Sequence, residues 1–343
     1  MKRESNIELL RIVAMFMVLG LHATFSALGP VNATEVKELP TQSFIRLLTE
    51  NVCIVGVNVF VLISGWFGIK FKCKGLSNFI FQCLFFSCIV FIPFFYSGQI
   101  EANRINVLSI FLLYHNAYWF VWAYIILYIS APILNSFIEH SDRKDIRTII
   151  ILLLVVQTVI VIFTRTGFYK SGFSPLSFIN LYLLARYFKL YIKLKGKYRF
   201  LFLYILCVMC NSLAYYIPVH SGISNDTIYS ISKAYTNPLN IISALSLLIF
   251  FTRINIKSKI INWLASSCFA VYLLHMHFCL RDHYTELAKE IFSKYSGIEY
   301  LAIIIAFITA VFAASVLIDK IRIFCFNFLW NKYEKHKYRN DHP

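Results

Sequence analysis

Runs of about 20 mostly apolar residues recur along the chain, separated by short connectors rich in Lys and Arg. That is the length an α-helix needs to cross the hydrocarbon core of a bilayer, where only helices and closed barrels satisfy their own backbone polar groups. Ten segments qualify: 7–27, 44–67, 76–97, 117–138, 147–164, 176–192, 199–218, 235–252, 262–280 and 299–319. Composition agrees, with 59% hydrophobic and 15% charged residues over 343 positions. A soluble domain carries about 25% charge, so a soluble enzyme is excluded. No stretch is polar enough for a second domain. Residues 1–343 are expected to form one integral-membrane domain, an all-α polytopic bundle of about ten transmembrane helices. Residues 105–114 are apolar but too short to cross, and are expected as an interfacial or re-entrant helix.

A formal charge of +16 raises the question of nucleic acid. The basic residues lie in clusters between apolar runs, which is the pattern of membrane topology and not of a phosphate-tracking surface. With the N-terminus inside, the inner connectors and tail hold 21 Lys and Arg and the outer connectors hold 8. Both termini are therefore expected to be cytoplasmic in a multi-pass protein of the cell membrane. The tail, 320–343, alternates basic and aromatic residues and is expected to lie on the inner leaflet. The long first segment contains Glu8, Arg11 and His22, which argues against a cleaved signal peptide. The nine cysteines fall mostly in apolar segments, which argues against a disulfide framework.

Ionisable groups inside a span cost about 2.5–3.5 kcal/mol each at its centre, so each requires a reason. Arg11 and His22 are eleven residues apart. At about 100° and 1.5 Å per residue they share one face of a helix, with about 16 Å between them along the axis. Glu8, one turn before Arg11, can pair with it. This stripe predicts a polar passage through the bundle. Further polar residues in outer halves are Glu50 and Asn51, His115 with Tyr118 and Trp119, and His275 with His277. Positions 275 and 277 are about 200° apart on a helix, so at most one can face the cavity that His22 faces. No HxxxH or HExxH spacing is present, and no metal is expected. Asn58 and the Ser64-Gly65 pair offer hydrogen bonding and close helix approach.

Arg11-x10-His22, followed by GVNVFVLISGWF, then YWFVWAYIILYISAPILN, then SSCFAVYLLHMHF, resembles the integral-membrane acyltransferases of the acyltransferase 3 family over the whole chain and in the same order. The resemblance implies a ten-helix bundle that moves an acyl group, usually acetyl from acetyl-CoA, onto a sugar hydroxyl of a cell-surface glycan. Two features depart from the family pattern. Asn58 stands where Asp is commonest, and the basic run after the second block is reduced to Lys70, Lys72 and Lys74.

Acyl transfer to an alcohol needs a base, and His22 is the expected one because an imidazole titrates near operating pH. Arg11 offers a fixed fork to the phosphates or amides of CoA, with Lys72 and Lys74 as weaker attractors. Glu50, Asn58, Tyr118, Trp119 and His275 are expected at the acceptor side, Trp119 as a stacking face for a sugar. The expected partners are acyl-CoA, a sugar or polysaccharide acceptor and the lipid bilayer. A transporter or flippase of lipid-linked oligosaccharide is the alternative, since it would also need an internal polar stripe. It would be marked by Gly- and Pro-broken spans repeated in two halves, and no such symmetry is visible here.

Overall fold

A computed structural model describes residues 3–112, 118–163, 172–193, 195–223 and 226–341. His115, Arg165 and Lys170 lie outside the described residues. Helix α1 (Ser5–Leu21) runs into a π turn (His22–Ser26). Short α2 (Ala33–Glu38) leads to α3 (Pro40–Cys53) and α4 (Gly56–Phe67), two parts of one span broken at 54–55. Then come α5 (Cys73–Tyr96), α6 (Arg104–Ile110), α7 (Trp119–His140), α8 (Arg143–Phe163) and α9 (Pro175–Tyr191). The chain continues with α10 (Tyr198–His220), α11 (Asp226–Ser232), α12 (Pro238–Thr252) and the pair α13 (Lys259–Ala265) and α14 (Cys268–His275), broken at Ser266-Ser267. It ends with α15 (Arg281–Lys294) and α16 (Gly297–Asp341).

Each of the ten apolar segments holds a helix or a broken helix, and the described residues form no strand. Six described segments are long and apolar enough to cross a membrane: Ser5–Ser26, Pro40–Phe67, Cys73–Tyr96, Trp119–His140, Tyr198–His220 and Gly297–Glu334. On α8, Ile149, Ile151, Leu152, Val155, Val156 and Val159 are exposed. A face of that kind is unfavourable in water and matches a hydrocarbon solvent.

Apolar residues surround α1, and such a helix belongs in the interior. It packs against α3, α4, α12, α13, α14 and α16. Small residues let the neighbouring backbones approach. A β-carbon at Gly56 would lie 2.8 Å from the Ala14 carbonyl oxygen, and one at Gly65 would lie 2.5 Å from that of Tyr182. The Ser64-Gly65 pair thus does seat α4 against α9.

Two expectations change. The tail is no separate surface helix, because α16 is continuous from Gly297 to Asp341. No Gly or Pro interrupts residues 298–342, and the Asp319–Arg322 pair at 2.8 Å closes within the helix. Arg322 also donates to Asn78 Oδ1 at 2.8 Å, tying α16 to α5. The segment 105–114 begins as the seven-residue α6, and residues 113–117 lie outside the described part.

Candidate functional site

The Arg11–His22 stripe faces an internal cavity of about 280 Å³. Arg3, Arg11, Met15, Val18 and His22 line it from the α1 side, Ser64 and Phe60 from α4, and Gln82 and Phe79 from α5. Trp119, Phe120 and Tyr124 on α7 and Phe269 and Tyr272 on α14 complete an aromatic wall. Phe79 stacks on Phe269 at 4.8 Å, and Phe120 on Tyr124 at 5.7 Å.

At the start of α1, Arg3 donates to the Asn262 carbonyl at 2.8 Å. Arg11 pairs with Glu8 at 3.2 Å, yet its side chain remains 34% exposed, so its guanidinium is available to an anion in the cavity. His22 is the first residue of the π turn, a local widening frequent at functional sites. Its Nδ1 lies 2.8 Å from Nε2 of His275, whose own Nδ1 lies 2.6 Å from the Val271 carbonyl oxygen. His277 takes the opposite side of the chain, with Nε2 at 3.2 Å from the Ser87 carbonyl and Nδ1 accepting from the Cys279 backbone N–H at 3.2 Å. Only one of the two histidines joins His22, as helical spacing required.

Trp119 lines the cavity but is packed by Phe173 at 4.5 Å and Tyr235 at 5.9 Å. Three other expected acceptor residues stand outside the lining. Tyr118 donates its hydroxyl to the Leu273 carbonyl at 2.7 Å. Asn58 donates to the carbonyl of Tyr235, a lining residue, at 2.9 Å. Glu50 has both oxygens occupied, Oε1 by Arg46 at 3.2 Å and Oε2 by Lys233 and Tyr229, each at 3.0 Å. Arg46 further binds Glu35 at 2.8 Å and the Gly29 carbonyl. A buried charge must be paired in this way, and the cluster locks the outer connectors to α3.

Lys72 and Lys74 are exposed and do not line the cavity; Lys74 pairs with Glu334 at 3.8 Å and lies over the Trp330 ring. Sequence reasoning passed over Arg3, Gln82 and Tyr124. Ser64 gives its proton to the Phe60 carbonyl at 3.1 Å, so Tyr124, 3.1 Å from the Ser64 oxygen, is the donor to it. A tyrosine in mid-span on the same face as Phe120, four residues earlier, was the available signal.

The cavity is lined by all four blocks of sequence that carry the resemblance, through Arg11 and His22, Phe60 and Ser64, Trp119 and Tyr124, and Cys268 and Tyr272. The family model described as an acyltransferase domain matches residues 4–320. The chain belongs to the acyltransferase 3 family. It is a membrane protein with an acyltransferase domain spanning the cavity and every helix that walls it. Comparison of this acyltransferase with curated proteins and with solved structures gave no match.

Proposed function

We propose that this acyltransferase moves an acetyl or other short acyl group from acyl-CoA to a hydroxyl of a cell-surface polysaccharide or its lipid-linked precursor. The observation that supports this reading is the single cavity shared by Arg11 and His22. We place the protein in the cell membrane with ten spans and both termini in the cytoplasm, an orientation supported by the excess of Lys and Arg in the inner connectors. Arg3 and Arg11 lie toward the cytoplasmic end of α1, where the anionic donor arrives, and their guanidinium groups suit its phosphates.

In the reaction, Nε2 of His22 takes the proton of the acceptor hydroxyl as its oxygen attacks the thioester carbonyl carbon. The C–O bond forms, the C–S bond breaks, and the leaving thiolate receives the proton back from His22. The products are an O-acyl ester and CoA thiol, with no net change at the imidazole. The aromatic wall limits water at the thioester, and Trp119 offers a ring to a sugar once Phe173 yields.

Purified protein in nanodiscs, supplied with acetyl-CoA and a cell-surface glycan fraction, should release free CoA thiol and add the mass of one acetyl group per modified sugar. His22→Ala should insert and purify normally but lose both signals. Full activity in that variant would remove His22 as the base. Movement of a lipid-linked oligosaccharide across vesicles, without thiol release, would establish the flippase alternative.

A further inference from the structure

We infer that His275 is a positioning residue that holds His22 in the tautomer with the proton on Nδ1, leaving Nε2 bare to accept a proton in the cavity. This rests on His22 being the base, and the chain of hydrogen bonds carries it. The Val271 carbonyl can only accept, so at 2.6 Å the proton between it and His275 belongs to His275 Nδ1. In a neutral imidazole the other nitrogen then has a lone pair, and His275 Nε2 becomes an acceptor. His22 Nδ1, 2.8 Å away, must supply the proton of that contact. One ring nitrogen of His22 is thereby committed, and which nitrogen carries the proton is set by the bond the other makes.

His275 is 3% exposed, and the cavity lining includes His22 but not His275. It therefore acts on the reaction through His22. Its ring is held from the sides as well, by Tyr272 at 6.2 Å and Tyr284 at 5.3 Å between centroids. Tyr284 in turn donates to the Leu19 carbonyl of α1 at 2.8 Å, so the helix that carries His22 and the ring that orients it are fixed to each other. The relay ends in a backbone carbonyl of its own helix, four residues before His275, and needs no carboxylate. An amide oxygen at the same place could accept from His22 Nδ1 equally well, which separates orientation from bulk.

The test combines spectroscopy and kinetics on the full-length protein in nanodiscs. With ¹⁵N-labelled histidine, and the His22 signals assigned by their loss in His22→Ala, Nδ1 of His22 should be protonated and Nε2 bare. In kinetics with acetyl-CoA, His275→Ala should lower kcat by about 100-fold with KM for the donor within about twofold, and His275→Gln should recover at least about tenfold of that loss. The inference is overturned if His22 carries its proton on Nε2, if His275→Ala keeps kcat within about threefold, or if His275→Gln is no better than His275→Ala. Should His275→Ala fail to fold, the labelled unsubstituted protein still decides the tautomer. An inactive His22→Ala beside an active His275→Ala sinks only the role of His275, whereas a fully active His22→Ala removes the base and its orienting partner together.

Discussion

Arg11 and His22, three turns apart on α1, open into the same cavity, and the residues between them that line it, Met15 and Val18, are apolar. A cation and an imidazole with an unbranched greasy path between them suit a long substrate that is anionic at one end and reactive at the other.

Arg11→Lys keeps the charge and removes the planar fork. Initial rates of thiol release should show KM for acetyl-CoA raised about tenfold with kcat nearly unchanged, since a bidentate site is not conserved by lysine. An unaltered KM would reduce Arg11 to a partner of Glu8.

Arg3 lines the cavity whereas Lys72 and Lys74 stand outside it on exposed positions. The donor KM of Arg3→Ala should stay raised as salt increases. The effect of the Lys72→Ala/Lys74→Ala pair, about threefold at low ionic strength, should vanish near 0.3 M salt because exposed charges beyond a Debye length of about 10 Å are screened.

Asn58→Asp restores the commoner residue of the family but places a carboxylate against the Tyr235 carbonyl that the amide now serves. Two acceptors then face each other in a buried setting, and stability should fall by about 1–3 kcal/mol. Thermal denaturation in detergent measures this, and an unchanged melting temperature would show that the bond contributes nothing.

Gly65→Val drives a side chain into the Tyr182 backbone, which cannot swing aside as a side chain would. A loss of about 1–3 kcal/mol, or failure to purify as a monodisperse species, is expected. Gly98→Ala is the control with open space around it, although its φ of 73° carries its own cost.

Much of this site is visible in one dimension. The common face of Arg11 and His22 follows from helical periodicity, and so does the exclusion of His277 once His275 is chosen. Glu50 shows where that method stops. Its partner Arg46 is one turn away and could have been foreseen, but Lys233 and Tyr229 arrive from the far side of the sequence, and only the fold reveals that they saturate the carboxylate. Lys74 fails for a similar reason, because its pairing with Glu334 depends on α16 running on as one helix. The break at Ser266-Ser267 and the π turn at His22 are likewise tertiary choices that local propensity does not announce.

The π turn has a corollary for chain length. A widened turn accommodates one residue more than an α-helical turn, so His22–Ser26 works as a spacer between the imidazole and the Gly29 carbonyl that Arg46 grips. Deleting one residue after His22 would relax the segment to ordinary helix, swing everything beyond it by about 100°, and pull that carbonyl off its arginine. A single-codon deletion here should therefore be far more damaging than most substitutions at the same positions.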